Sequence, residues 1–498
     1  MEHSSNNGFH GEEKDKEILG NSDLRAESLA SQERLGEKSV ENGAIRKETD
    51  SPSSVDSVAV EKDCDPEVQD VRVEGINDND NDLEAATKVA SHVPSVRDLT
   101  TIPDGGTMAW LQVVGSFFLF WNSWGIINTF GVYQTYYQEE LLSSNSPSSI
   151  AWIGSIQAFL LLFVGAFCGP LYDAGYFRQL IMTGTFFLVF GHMMLSLCKE
   201  YWQVLLAQAF CTGAGPGFLF VPSVAILSTY FRKKIAFSVG VAAAGSSLGG
   251  VIYPIMLHKL IPQVGFGWAV RIIGFTVLAT LMVPNTVMKM RARPASKRKA
   301  VDWTAFRDLP FMLFTLSSFV GFMGLYMPFF YIESFAISRG ITDANLGFYL
   351  LSIINSASTF GRVLPNFVAD RIGPFNVFIP ATLLSGIITL CTIPVNSLGG
   401  IVCICVFYGF CSGAFVSVPP TIMVHLTDNR GMIGTRMGMS FGFTSIGMLI
   451  GAPVGGAILD SGGYTAVWIW GGVLICSGGM LTTLARIAKY GPNPIKRA

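Results

Sequence analysis

The stretch from Tyr230 to Gly245 reads Tyr-Phe-Arg-Lys-Lys-Ile-Ala-Phe-Ser-Val-Gly-Val-Ala-Ala-Ala-Gly and indicates how the chain is organised. Three adjacent cations, Arg232, Lys233 and Lys234, separate two long apolar runs. Cations between membrane spans favour the cytoplasmic side, because translocation of Lys and Arg is disfavoured. The small residues that follow recur at three- and four-residue spacing, which lets helix backbones approach closely in lipid. The stretch therefore predicts a cytoplasmic loop that leads into a tightly packed transmembrane helix.

The composition is that of a membrane protein. Of 498 residues, 50% are hydrophobic and 14% are charged, whereas soluble proteins average roughly 25% charged residues. The nine cysteines fall mostly inside apolar runs and lack metal-ligand spacing, so we interpret them as packing residues and expect no metal and no cofactor. The chain has no basic arm and no basic-aromatic face, which argues against nucleic-acid binding.

Residues 1–100 differ sharply from the rest of the chain. They are rich in Glu, Asp, Ser, Asn and Lys and contain hardly any aromatic residue. Such a segment buries too little apolar surface to offset its ordering entropy. No apolar region follows Met1, so the segment is not expected to be a signal peptide. We predict a disordered N-terminal tail in the cytoplasm.

Twelve apolar segments follow, each long enough to cross a hydrocarbon core of about 30 Å with roughly 20 residues. A long basic loop lies midway and divides the segments six and six. The sequence thus predicts an all-α membrane protein with twelve transmembrane helices. Its expected parts are a first six-helix half at 104–290, a basic cytoplasmic linker at 291–308, a second six-helix half at 309–490 and a short cytoplasmic tail at 491–498.

The distribution of Lys and Arg predicts the orientation of the bundle. The loops expected on the opposite side contain only Lys199, Lys259 and Arg339. The loops on the tail side contain many more cations, namely Arg178, Arg232, Lys233, Lys234, the central cluster, Arg371 and Arg430. This bias places both termini in the cytoplasm. The plasma membrane is the default location for such a chain.

An internal repeat relates the two halves. The segment 210–214 (Phe-Cys-Thr-Gly-Ala) reappears as 410–414 (Phe-Cys-Ser-Gly-Ala), an offset of 200 residues. Val-Pro at 221–222 reappears at 418–419, an offset of 197 residues. Two further matches follow in the same order at nearly the same offset. This pattern indicates duplication and predicts two pseudo-symmetric halves.

Several motifs resemble the monocarboxylate transporters of the major facilitator superfamily, especially their fungal branch. The stretch 104–110 (Asp-Gly-Gly-Thr-Met-Ala-Trp) is similar to the motif that precedes the first helix of that family. The stretch 230–245 resembles its second signature, and the Gly and Pro residues at 213–222 and the aromatic residues at 326–331 look like its helices 4 and 7. The resemblance covers 104–490 and implies a major facilitator fold. In that fold the substrate site lies near the midplane, between two halves that rock.

Arg362 is the sharpest candidate for substrate binding. It lies inside the eighth apolar segment, where an uncompensated cation is costly and usually faces a cavity or a partner. A guanidinium suits a carboxylate because its planar fork can bind both oxygens. The resemblance, through Phe-Gly-Arg at 360–362, implies the family's substrate-binding arginine; the alternative is a structural pairing with a nearby polar group. Further candidates on the expected cavity helices are Asn128, Trp124, Tyr331 and Asn355.

A second group of residues is expected to control conformation. Asp173 and Arg178 lie in a degenerate form of the superfamily's loop between helices 2 and 3, and we expect them to pair and hold the halves together. Asp370 and Arg371 are the pseudo-symmetric copy, and Gly245 belongs to the closely packed fifth helix. The alternative for these loops is an ordinary solvated surface.

Two departures from the resembled family concern proton coupling. Ser358 stands where that family has an aspartate in helix 8, and Ile127-Asn128 stands where it has a proline followed by a lysine. Relays need groups that change charge within the membrane. Both expected groups are missing, which argues against a proton-coupled carrier of the lactate type and leaves symport an open question.

The sequence predicts a secondary active or facilitative transporter that moves a small organic solute, with a carboxylate as the expected substrate, by alternating access. Alternatives are an exporter of a fungal secondary metabolite, a vitamin-type uptake carrier without proton coupling, and a nutrient sensor on the same scaffold. An enzyme is not expected, because no catalytic triad or metal-ligand cluster is present, and a pump would need a phosphate-binding loop. The expected partners are the substrate and the lipid bilayer, and the oligomeric state is open.

Overall fold

The computed structural model describes residues 102–291 and 301–493, and every regular element within them is helical. The tail predicted at 1–100 lies outside the described residues. The same is true of most of the basic linker, at 292–300, and of the C-terminal segment 494–498. The described part of the chain confirms the prediction of an all-α membrane protein.

Seven helical stretches in the described residues are long and apolar enough to cross a membrane, and two of them exceed fifty residues. Each of those two bends sharply at one glycine, Gly265 (φ 77°) or Gly463 (φ 69°), and is therefore a pair of helices. Each pair counts as two helices, so the seven stretches contain nine. Three further helices bring the number of segments in the described residues to twelve. We number them α1 (Thr107–Ile127), α2 (Pro147–Asp173), α3 (Phe177–Leu195), α4 (Tyr201–Tyr230), α5 (235–264), α6 (266–287), α7 (Leu309–Ser338), α8 (Ala344–Ile372), α9 (Pro374–Cys391), α10 (Leu398–Leu426), α11 (433–462) and α12 (464–490).

The backbone geometry repeats between the two halves. The bends at Gly265 and Gly463 are 198 residues apart and both require a positive φ, which glycine adopts without strain. Helix α1 ends at Ile127 and resumes as Phe130–Tyr136, and α7 is interrupted 198 residues later, after Leu325. Interrupted helices at matching positions of two repeats are typical of secondary transporters.

The end of the bundle at which α2, α4, α8 and α10 terminate is here called the basic face, and it is defined by the loops 174–176, 231–234 and 427–432. At this face the halves meet along two helix pairs, α2 with α11 and α5 with α8. Near the other end of α5, the His258 ring stacks on Phe348 of α8, with 4.4 Å between ring centroids. The halves therefore contact each other at both ends of the α5–α8 pair.

The described end of the linker is held against the second half by Arg436 of α11. Its guanidinium bonds the carboxylates of Asp302 (2.8 Å) and Asp308 (3.0 Å) and lies over the ring of Phe311. Burial alone raises the pKa of Asp302, but hydrogen bonds from Thr304 and Arg436 outweigh that effect and hold this pKa below its ordinary value. The linker thus re-enters the bundle at a defined point.

Close backbone contact between α8 and α10 depends on Gly361. A Cβ placed there would overlap the carbonyl oxygen of Phe410. Helices in lipid associate through van der Waals packing, and small residues permit the closest approach. The contact fixes the rotation of α8 and hence the direction of its polar face.

We therefore predict that Gly361→Ala separates α8 from α10 and destabilises the detergent-solubilised protein. Overpacking of this kind costs about 1–3 kcal/mol. The melting temperature measures the effect. Gly399→Ala is the matched control, because a Cβ at that position of α10 would meet nothing within 4 Å. Equal melting temperatures for the two variants would contradict the assigned contact.

Candidate substrate site and contacts between the halves

Arg362 lies in α8 at the surface where the second half meets the first. Its side chain is 4% exposed, and its backbone carbonyl touches Gly240 of α5, where a Cβ would not fit. The Nε group donates to the Ser358 hydroxyl at 3.3 Å. Within the described residues, Nη1 has no hydrogen-bond partner, and none of the ion pairs involves Arg362. The structural pairing with Ser358 therefore uses only part of the hydrogen-bonding capacity of this guanidinium.

Ser358 links Arg362 to the opposite half. Its hydroxyl also accepts a hydrogen bond from Ser247 of α5, at 3.2 Å. A hydroxyl supplies a dipole but no negative charge, so it leaves the cation uncompensated. The replacement of the resembled family's aspartate by Ser358 thus leaves the charge of Arg362 for another group to balance.

Two predicted substrate residues, Asn128 and Asn355, bond to each other across the halves. Nδ2 of Asn128, just after α1, donates to Oδ1 of Asn355 in α8 at 3.3 Å. Gly250 of α5 makes room for this bridge, because a Cβ there would meet both amide groups at 2.9–3.0 Å. The spacing of Asn355, Ser358 and Arg362 places all three on one face of α8. The bridge therefore belongs to the same polar strip as Arg362.

Trp124, also predicted, lies one helical turn before Asn128 and is 2% exposed. Its indole stacks on Phe322 of α7, in the other half, with 6.3 Å between ring centroids and 29° between planes. Tyr326 follows Phe322 by one turn and lines a small cavity together with Asn128 and with Leu351 of α8. The structure thus brings aromatic residues of α1 and α7 together with the polar face of α8.

Sequence reasoning missed Phe322. The repeat contained the signal for it, because Phe322 follows Trp124 by 198 residues and Tyr326 follows Asn128 by the same offset. The first helix of each half therefore contributes an aromatic residue and, one turn later, a residue that lines the central space.

A small cavity of about 40 Å³ lies between the halves. A water molecule needs roughly 10–15 Å³ by this measure, so the cavity is too small for an organic molecule of substrate size. Movement of the halves is required before a substrate can enter. The cavity is lined by Ile127, Asn128, Phe130, Gly131, Gly154, Ala158, Tyr326, Phe329, Phe330, Leu351 and Met448.

Tyr331, the remaining predicted substrate residue, has its contacts within the second half. Its hydroxyl donates to the carbonyl oxygen of Ala452 in α11 at 3.3 Å, and its ring packs near Gly455. No contact among the described residues joins it to Arg362. A role for Tyr331 in binding stays a prediction.

At the basic face, Asp173 at the end of α2 contacts the start of α11. Its carboxylate accepts hydrogen bonds from Thr435 N (2.7 Å), Thr435 Oγ1 (2.9 Å) and Gly434 N (3.3 Å). The first N–H groups of a helix lack intrahelical partners and carry partial positive charge, so a carboxylate stabilises them. Asp173 therefore joins the two halves.

Asp370, 197 residues later, makes the symmetric contact. Its two oxygens accept from Ala236 N and Phe237 N at the start of α5, each at 2.8 Å. Arg178 is exposed, and the Arg371 guanidinium lies 4.4 Å from the ring centroid of Phe367 on its own helix. Both acids thus accept hydrogen bonds from backbone amides of the opposite half, Asp173 also from the Thr435 hydroxyl, and their pairing with Arg178 and Arg371 stays a prediction.

Two other motif residues make contacts within the first half. A Cβ on Gly245 of α5 would overlap the Phe117 carbonyl oxygen of α1, so this glycine packs those two helices together. Asp104 accepts hydrogen bonds from Arg232 N (2.5 Å) and Lys233 N (2.6 Å). The two sequence signatures therefore meet at the basic face, where Asp104 anchors the start of α1 to the α4–α5 loop.

Comparison with known proteins agrees with this architecture. The family profile of the Major Facilitator Superfamily matches residues 113–435. The MFS-type transporter dbaD of Emericella nidulans is 51% identical, over 77% of this chain and 87% of its own length. The agnestins efflux protein of Paecilomyces divaricatus is 40% identical, over 76% and 87%. The aspyridones efflux protein of Emericella nidulans is 36% identical, over 80% and 82%.

Solved structures share the fold. The human organic anion transporter MFSD10 matches with a TM-score of 0.58 and 14% identity, over 76% of this chain and 98% of that one. The E. coli fucose:proton symporter FucP also gives 0.58, with 15% identity over 75% and 98%. The sequence-based prediction of the superfamily is confirmed. The chain belongs to the major facilitator superfamily and is a multi-pass membrane transporter of small molecules rather than an enzyme.

Proposed function

We propose that this transporter exports a secondary metabolite that carries an anionic group, with Arg362 as its binding residue. The observation that carries the proposal is the buried guanidinium between the halves, whose Nη1 has no partner among the described residues. Export, as the direction of transport, is supported by relatives of 40% and 36% identity that are named as efflux proteins. Within the superfamily, the two sequence signatures support a place in the monocarboxylate-transporter-like family.

The proposed chemistry follows from the environment of Arg362. A cation buried away from water is stabilised when an anion binds, and a carboxylate or phenolate can accept hydrogen bonds from the free nitrogen. Asn128 and Asn355 offer neutral amide groups that can hydrogen-bond the rest of a polar substrate. Because Ser358 and Asn128 do not titrate, we propose transport without proton coupling.

The proposed cycle uses the two carboxylate contacts at the basic face. Asp173 and Asp370 keep this face closed in the present conformation, and release of their amide partners lets the halves part. We propose that Arg178 and Arg371 assist the acids, and that Gly245 keeps α1 and α5 moving together. We propose that this face and both termini lie in the cytoplasm, as the Lys and Arg bias favours, and that the membrane is the plasma membrane.

Deletion of the gene in its source organism tests the proposal through mass spectrometry of cells and medium. We expect an acidic metabolite to be retained in the cells, and the wild-type gene to restore its release. Arg362→Gln should restore at most about a tenth of the release rate, because loss of one partner of a buried charge pair costs roughly 2–5 kcal/mol.

Arg271→Gln is the matched control for that experiment. Arg271 lies in α6, bonds Ser196 at 3.0 Å and stacks on Trp268, away from the contact between the halves. The Arg271→Gln variant should restore release of the metabolite fully. No redistribution of any metabolite would refute export and favour a sensor. If cells that lack the gene contained less of a compound supplied in the medium than wild-type cells do, the protein would be an uptake carrier instead.

Replacement of Asp173 should open the basic face. In Asp173→Ala the start of α11 loses hydrogen bonds to a charged group, each worth about 1.5–3 kcal/mol, so we expect the open population to rise at least about tenfold. Double electron–electron resonance between spin labels at two exposed loop positions, Tyr176 (first half) and Asp428 (second half), measures the change.

Asp343→Ala separates a general capping effect from the proposed latch. Asp343 accepts from Leu346 N at 2.9 Å and caps α8 within its own half. Its loss should lower stability without changing the distance distribution at the basic face. If both variants gave the wild-type distribution, Asp173 would not hold the face closed.

A further inference from the structure

We propose that the substrate is a planar aromatic anion whose ring is held between Trp124 and Phe322. This inference rests on the proposed function and specifies the class of compound. The two rings belong to different halves and stack at 6.3 Å with a tilt of 29°. Nearly parallel rings that face each other across a moving boundary form a slot for a third ring once that boundary opens.

The ring pair lies directly below the central cavity. Asn128 and Tyr326 line that cavity, and Trp124 and Phe322 precede them by four residues. Since α1 and α7 both start at the basic face, four residues correspond to one helical turn toward that face. The stacked pair therefore lies about one helical turn from the cavity lining, on the side of the basic face.

Each ring is held in place from behind by its own half. Phe220 of α4 packs edge-on against Trp124 at 5.6 Å, and Phe415 of α10 packs against Phe322 at 5.3 Å. Both contacts lie within one half, although Phe220 also contacts Phe441 of α11 in the second half at 5.2 Å. Separation of the halves therefore parts Trp124 from Phe322 and leaves both faces aligned for a ligand.

Two buried polar atoms in this region can hydrogen-bond a ligand. Trp124 Nε1 and Arg362 Nη1 are both buried, and neither has a hydrogen-bond partner in the described part of the chain. A buried N–H without a partner costs roughly 1–3 kcal/mol, which a purely packing pair of phenylalanines would avoid. An aromatic acid supplies the missing groups, since its anionic oxygen suits Arg362 and an acceptor on the ring edge suits the indole.

Trp124 and Phe322 contact each other at present, because aromatic pairs touch at centroid separations of about 4.5–7 Å, and theirs is 6.3 Å. Stacked carbon atoms lie about 3.5 Å apart, so the two rings must part by roughly that distance to admit a third ring between them. A saturated ring of the same size is thicker and lacks a π face, and it should therefore be selected against.

Binding of two matched acids to the purified full-length protein tests this inference. The probes are 2-naphthoate and decahydro-2-naphthoate, which share the carboxylate and carbon skeleton but differ in planarity. Isothermal titration should show 2-naphthoate binding at least about tenfold more tightly. Phe322→Leu should reduce that preference to about threefold or less, and Phe322→Tyr should keep it. Phe187→Leu, which removes a stacked contact with Phe218 inside the first half (5.8 Å), should also keep it.

The affinities of the two probes for the variants distinguish the proposed aromatic slot from the proposed anion site at Arg362. Arg362→Gln should weaken both probes equally and preserve their ratio. If Arg362→Gln changed neither affinity while the ratio stayed high, the anion site would be refuted and the aromatic slot would stand. Equal affinities of the wild type for both probes, no binding of 2-naphthoate, or a ratio unaffected by Phe322→Leu would each overturn the aromatic slot.

Discussion

The structure depends on how charge is accommodated away from water. A buried ion without a partner is costly, so each charged group between the halves must have either a partner in the protein or a ligand. Asp173 and Asp370 find amide groups at the starts of α11 and α5. Among the described residues, Arg362 has the neutral Ser358 hydroxyl as a partner for one of its nitrogens. The two acids are thus bonded across the halves, whereas the charge of Arg362 has no counterion in this part of the chain.

Both carboxylate contacts have a property suited to a moving protein. The acid lies on one half and the helix start lies on the other, so the contact breaks without any change inside either half. The amides released in this way are at helix ends near the membrane surface, where water can bond them. In the proposed opening, water can therefore offset part of the lost hydrogen bonding. Close helix packing, as at Gly361 against Phe410, joins helices within one half.

In the central region, aromatic side chains make contacts both within each half and between the halves. Trp124 and Phe322 each have a second aromatic neighbour in their own half, and only their mutual contact crosses the boundary. Duplication explains why the first helices of both halves contribute: an offset of 198 residues relates both this pair and the lining residues Asn128 and Tyr326. The two halves thus supply similar surfaces that meet at the midplane.

The sequence by itself indicated the number of spans, the duplication and the superfamily, and it singled out Arg362, whose role in binding stays a prediction. These features depend on local hydropathy, on spacing and on the rarity of a cation in an apolar segment, all of which can be read along the chain. Only the tertiary structure decided that Asp173 meets Thr435, that Phe322 faces Trp124 and that Tyr331 bonds within its own half. Those contacts join residues far apart in the chain. They depend on the rotation of each helix about its axis, which hydropathy leaves undefined because most faces of these helices are apolar.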